Sequence, residues 1–187
     1  MIKILIIAGK TASGKTSIVN DLVSKYGMKQ IVTYTTRPIR KGEADGITYH
    51  YINKEDFQTK IKENFFVEWK SYETQEGIWY YGTAKTDLDS ANNDTVIILT
   101  PQGIRDISLL YPNNFVVYLY INHSTMKNRL NKRNTNKEEN LRRLKADDED
   151  FKNFEMEANK IMYNNDNVQK ADVVEKILKE YKERKEK

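Results

Sequence analysis

The sequence predicts an α/β fold, with a mostly parallel sheet as the middle of three layers and helices on both faces. Three observations carry this. The runs Ile2–Ala8, Thr95–Leu99 and Phe115–Ile121 are almost unbroken apolar stretches, as strands buried on both faces read. Helical spacings alternate with these runs, beginning with Ile18, Val19 and Leu22. Between the first strand and its helix, Gly9-Lys10-Thr11-Ala12-Ser13-Gly14-Lys15-Thr16 fits G-x-x-x-x-G-K-[ST] at every fixed position.

The elements follow in order. The first helix stops at Tyr26-Gly27, and Gln30–Tyr34 reads as a second strand. Thr35–Gly46 has no apolar rhythm and contains Pro38, Gly42 and Gly46, so it is a loop. Ile47–Ile52 reads as a short strand. Asn53 caps a helix running to about Glu63, with Asp56 three residues on and Phe57 and Ile61 on one face. Phe65–Trp69 and Trp79–Tyr81 read as short strands around a polar turn near Glu76-Gly77, and Thr83 as the cap of a weak helix through Ala91. Residues 33–82 thus form a strand-rich insert in a frame of residues 1–32, 83–123 and 160–187.

Past Leu99, Thr100-Pro101 opens a helix, proline being tolerated at the first helical position; it ends near Tyr111-Pro112. Helices are expected over Ser124–Lys132 and from Lys137 to about Phe154. A last short strand is expected at Lys160–Tyr163. From Lys170 a terminal helix turns Val173, Val174, Ile177, Leu178 and Tyr181 inward. Lys127–Lys145 is strongly basic and Asp147–Asp150 reverses the sign; both read as solvated helix faces.

Composition narrows the function classes. A chain of 187 residues makes one domain with its own core. It has no cysteine, which excludes a disulfide framework, a thiol nucleophile and a zinc–thiolate site. The net charge of +4 suits anionic small molecules and is too small to point to nucleic acid. The first apolar run spans seven residues, with Lys3 inside it, too short for a signal peptide. No run approaches the ~20 residues of a membrane span. A soluble cytoplasmic protein without a membrane partner is the expectation.

The glycine-bearing loop carries the first chemistry. Its backbone amides, together with the helix N-terminus, make a cradle for phosphate oxygens from Gly9 to Ser17. Lys15 would reach the β- and γ-phosphates, and the Thr16 hydroxyl would take a place on Mg²⁺. The second informative stretch is Thr33-Tyr34-Thr35-Thr36-Arg37-Pro38-Ile39-Arg40-Lys41-Gly42-Glu43-Ala44-Asp45-Gly46, followed by Tyr49. Two guanidinium forks among hydroxyls make a phosphate clamp, and on residue types alone a solvated surface loop fits equally well.

This stretch resembles the monophosphate site of guanylate kinases, matching S-x-T-T-R-x-x-R-x-G-E-x-[DN]-G-x-x-Y with Thr33 in place of serine. The likeness continues through Val67-Glu68-Trp69, Tyr80-Tyr81-Gly82-Thr83, Arg129-Leu130-Asn131-Lys132-Arg133-Asn134-Thr135, Arg142-Arg143-Leu144 and Asn165-Asp166-Asn167. It implies a P-loop fold with a monophosphate-binding insert and a helical lid over residues 124–159. The implied reaction passes the γ-phosphate of ATP to GMP or dGMP, with Mg²⁺. It places Thr33, Arg37, Arg40, Tyr49 and Tyr81 around the acceptor phosphate. Glu68 and Thr83 would read guanine, Arg133 and Arg143 would close over the phosphates, and Asn165 would approach the donor side. Lys15, Arg40, Arg133 and Arg143 are then the catalytic group, in a monomer or homodimer.

The chain departs from the family where a strand usually ends D-x-D-x-Q-G. Here it reads Ile98-Leu99-Thr100-Pro101-Gln102-Gly103, with Thr100 at the position that contacts the guanine amino group. Ile98 stands where the family has a metal-supporting aspartate, which leaves Thr16 as the metal-holding side chain. Ser71–Ile78 reads as a longer turn. Two alternatives stay open on the same frame: a sugar-phosphate kinase acting on ribose bisphosphate, and a non-catalytic interaction module of guanylate kinase type. His50 and His123 sit at element boundaries, and the chemistry needs no imidazole.

Overall fold

The computed structural model describes residues 4–40, 42–74, 76–92, 94–132 and 137–185. The chain runs β1 (Leu5–Ala8), α1 (Lys15–Tyr26), β2 (Lys29–Gln30), β3 (Tyr34–Thr35), β4 (His50–Tyr51), α2 (Lys54–Lys62), β5 (Phe66–Thr74) and β6 (Gly77–Ala84). It continues α3 (Lys85–Asp89), β7 (Thr95–Ile98), α4 (Pro101–Leu110), β8 (Phe115–Tyr120), α5 (His123–Lys132), α6 (Lys137–Asp150), β9 (Lys160–Tyr163) and α7 (Lys170–Lys185).

Five parallel strands in the order β2-β7-β1-β8-β9 make the central sheet. Its apolar runs lack polar alternation because both faces are covered. Leu5 and Ile7 of β1, with Phe115, Val117 and Leu119 of β8, face the helices α1 and α7. Their neighbours Ile4, Ile6, Val116 and Tyr118 face the opposite way, onto Ile104 and Ile107 of α4, Phe151 and Phe154. Period-2 side-chain geometry thus divides continuous hydrophobic runs between two cores.

A second sheet, β4-β3-β6-β5, stands apart from the first. Helix α2 closes it with Phe57, fully buried and stacked on Phe66 at 4.4 Å. The Asn53 side chain caps that helix by accepting from the Asp56 amide at 2.7 Å, as its sequence suggests.

Several expectations are corrected. Gln30–Tyr34 is not one strand: β2 joins the central sheet, β3 joins the second, and residues 31–33 cross between them. Such short β-branched runs suit either sheet, and the pairing partner decides. Thr83 is a strand residue rather than a helix cap, and Ala84 takes the cap position of α3 without a side-chain bond. Ser71–Ile78 is not a turn: β5 and β6 pair out to Thr74 and Gly77, with Tyr72 opposite Trp79 and Ser71 opposite Tyr80. Cross-strand aromatic contacts stabilise that extension despite its polar residues. Helix α6 stops at Asp150, and Asn153 has a left-handed backbone (φ 60°) that no continuing helix allows. Among the described residues, no helix is long and apolar enough to cross a membrane.

Candidate active site

The loop between β1 and α1 folds as its glycines require. Gly14 adopts φ 93°, and a Cβ there would also meet the Asn164 amide nitrogen at 2.6 Å. That amide donates to the Ser13 carbonyl at 2.7 Å and ties the end of β9 to the loop. Arg129 adds a second tie, donating to the carbonyls of Ala12 (3.2 Å) and Asn164 (2.8 Å) and to Asp166 (2.9 Å). The Lys15 ammonium bends back over the loop to the carbonyls of Gly9 (2.6 Å) and Lys10 (3.1 Å). Thr16 and Ser17 follow at the start of α1, and Ser17 Oγ accepts from Lys170 at 3.3 Å.

Asn164, and not Asn165, is therefore the residue against the loop; Asn165 instead accepts from the Asn122 amide at 2.8 Å. Adjacent asparagines at a strand end cannot be told apart by spacing alone, because a one-residue shift in register reverses the side each faces.

The arginine loop is built around Glu43. Arg37, 4% exposed, donates both guanidinium nitrogens to the Glu43 carboxylate, each at 2.9 Å. The same carboxylate accepts from the Tyr51 hydroxyl (2.8 Å) and the Arg40 amide (2.9 Å). Burial works against the Glu43 charge, but Arg37, Tyr51 and the Arg40 amide outweigh it and hold its pKa down at about 2. Burial likewise opposes the Arg37 charge, and the Glu43 bonds more than restore it. Tyr49 lies under the Arg37 guanidinium at 5.3 Å and meets Tyr81 edge-on at 5.9 Å. Burial, and then the charges of Arg143 and Arg37, act against the Arg40 proton. Three guanidinium groups thus converge on one place, which calls for an anion.

Glu43 fixes Arg37, so Glu43→Gln is expected to raise the acceptor KM and to cost about 2 kcal/mol of stability at pH 7. The carboxylate's folded pKa lies below its unfolded value. Its contribution is therefore full above about 4.5 and lost as pH falls through about 2. Urea melts should show the gap between wild type and variant narrowing by about half by pH 3.

Glu68 is the third feature. It is 9% exposed and accepts from the buried Thr83 hydroxyl at 2.5 Å. Burial raises its pKa to about 7, with the Thr83 bond opposing. Thr83, fully buried, donates to this carboxylate and is not among the residues lining the cavity. A Cβ on Gly103 would lie 3.0 Å from Glu68 Oε2, so the glycine leaves room for the carboxylate against α4. Thr100 caps that helix, accepting from the Gly103 amide at 3.2 Å.

One cavity of about 1160 Å³ joins these parts. The loop from Gly9 to Ser17, apart from Lys10, lines one side, and Thr33, Arg37, Arg40, Tyr49, Tyr81 and Glu68 line the other. Thr100, Ile98, Arg142 and Arg143 complete it. Arg133 lies outside the described residues. Helix α6 also contributes Asp147 and Asp150, which the sequence reading assigns to a solvated face. Their inward contacts, like the Glu43 fork, join residues far apart or folded across a loop, and no local pattern marks them.

A glycine loop at the C-terminal end of a parallel strand, facing an arginine cluster across a shared cavity, defines a P-loop fold with two facing anion-binding walls. The guanylate kinase family model matches residues 1–183. The chain belongs to the guanylate kinase family. It is 33% identical to the guanylate kinase of Caldanaerobacter subterraneus subsp. tengcongensis over 182 residues, 93% of this chain and 84% of that one. A guanylate kinase of Bdellovibrio bacteriovorus is 34% identical over 122 residues, 63% of this chain and 64% of the relative, slightly under two thirds of its length. The crystal structure of guanylate kinase from Anaplasma phagocytophilum shares the fold, with a TM-score of 0.72, 16% identity, and coverage of 100% of this chain and 88% of that one.

Proposed function

We propose that this chain transfers the γ-phosphate of ATP to GMP or dGMP. The observation that carries the reading is the placing of the phosphate loop, the Arg37–Arg40–Arg143 cluster and buried Glu68 on one cavity. The loop amides and Lys15 hold the donor, and the arginines with Tyr49 and Tyr81 hold the acceptor phosphate. Phosphoryl transfer needs in-line placement and charge neutralisation more than covalent help, and two facing cation-rich walls supply both. Glu68 is acceptor-only when ionised and suits a base edge that offers two N–H donors.

The donor set fits Mg²⁺ that arrives with the nucleotide. Among the described residues, no three acidic or histidine side chains cluster to cage a metal. Mg²⁺ keeps most of its shell as water and phosphate oxygen, so one protein hydroxyl suffices. Thr16 would hold it, and the ion would neutralise charge between the β- and γ-phosphates.

The test offers ATP–Mg²⁺ with GMP, dGMP, AMP, CMP, UMP and ribose bisphosphate, and follows ADP release. Release with the two guanine nucleotides is expected. Release with the sugar alone, or with none, overturns the reading.

A further inference from the structure

Helix α6 lies across the cleft with two carboxylates, Asp147 and Asp150, on the cavity wall and a third, Asp148, on its exposed side. Asp147 Oδ2 accepts from the Thr11 amide at 2.6 Å. Asp148 pairs with the Lys10 ammonium at 2.6 Å. Asp150 takes the Lys70 ammonium at 2.6 Å and the Tyr72 hydroxyl at 3.4 Å. The helix therefore bridges the phosphate loop and the β5 edge of the second sheet, joining the donor and acceptor walls. Thr11 is the third residue of the glycine motif, and the amides of that loop form the anion cradle.

We propose that Asp147 is a built-in stand-in for a donor phosphate: its carboxylate docks on the Thr11 amide, latches α6 over the cleft, and must leave before nucleotide phosphates take that amide. The proposal rests on the reading of the loop as the donor site.

The physical grounds are competition and charge. One N–H serves one strong acceptor well, so a carboxylate oxygen and a phosphate oxygen exclude each other at Thr11. The second anion also meets the first at short range in a half-enclosed cavity, where screening by water is reduced. Burial pushes the Asp147 pKa up, with the Thr11 amide and Lys15 opposing, so the docked carboxylate is held against a desolvation cost that favours release. Arg143 stands one helical turn before Asp147 on the same face. Displacing Asp147 therefore moves the helix that carries Arg143, and donor arrival is coupled to the position of an acceptor-side arginine.

A competing role makes Asp147 a metal-positioning carboxylate in place of the aspartate that Ile98 lacks. The observed contact is to an amide donor at one carboxylate oxygen, which fits the latch directly and leaves the metal role to be tested. Calorimetric titration of the full chain with ADP and with ATP, without acceptor, separates the two roles. Wild type, Asp147→Ala and Asp147→Asn are compared in Mg²⁺ and in chelator. Asp147→Ala is expected to bind ADP about three- to tenfold more tightly, and Asp147→Asn, which keeps an acceptor oxygen but loses the charge, to gain less, with and without metal. Hydrogen exchange at the Thr11 amide, without nucleotide, is expected to be faster in Asp147→Ala than in wild type. Unchanged or weaker nucleotide binding overturns the latch, as does unchanged exchange. Weakening only in Mg²⁺ overturns it in favour of the metal role. If wild type binds neither nucleotide, the donor-site reading itself falls, an outcome distinct from equal affinities.

Discussion

Lys15→Ala is expected to lower turnover by about 10²- to 10³-fold while GMP still binds, the size of effect seen when one preorganised electrostatic group is removed. The ammonium is placed by its own loop, bonded to the carbonyls of Gly9 and Lys10. A charge held in this way reorients little when phosphate arrives, so its contribution falls on the transition state, where charge spreads over the transferring oxygens. The groups proposed to hold the acceptor sit on other elements: Arg37 and Arg40 after β3, Glu68 on β5 and Tyr81 on β6. Steady-state turnover together with direct GMP titration checks the split. A variant that keeps wild-type turnover, or that loses GMP binding, sinks the assignment.

Glu68→Gln is expected to lower kcat/KM for GMP by about 10²-fold or more, because an amide sets one N–H against an N–H of the base and removes the charge from the other bond. The wild type should also lose GMP affinity as pH falls from 8 to 6. Burial raises the Glu68 pKa to about 7, and only the ionised form accepts from both donors. The variant should show no such inflection; an identical pH slope in both would rule the carboxylate out.

Stability should move the other way. The folded carboxyl holds its proton more tightly than the unfolded one, at about 7 against 4.5. Its contribution to stability is therefore full below about 4.5 and lost as pH rises through 7. Glu68→Gln keeps the Thr83 bond and removes that cost, on the order of 3 kcal/mol above pH 7. Urea melts at pH 8 and pH 5 check the sign. A site that lowers stability for the sake of base recognition is the expected trade between stability and function.

Much of the frame is legible in local pattern. The β1 run, the Gly14-Lys15 pair and the α1 spacing lie within a few residues of one another, so their physics is local. The same holds for the Asn53 cap and for Thr100-Pro101 at the head of α4. The errors cluster where a partner strand decides. Tyr34 leaves the central sheet, and Thr35, read as loop, joins it in a strand, because Gly82 and Tyr81 are there to pair with them. Ser71–Thr74 is strand because Gly77–Tyr80 lies opposite.

By itself the sequence determined the phosphate-loop motif, most of the helices and central strands, and the residues by which the chain resembles its family. Those depend on backbone conformation and residue chemistry over short spans. The tertiary structure alone decided that Glu43 holds Arg37, that Asn164 rather than Asn165 braces the loop, that Thr83 donates to Glu68, and that Asp147 reaches the Thr11 amide. Each of these depends on direction and distance between distant or folded-back segments. A charge run shows its sign in the sequence, but which face meets the cleft is set by packing of the helix against the rest of the chain.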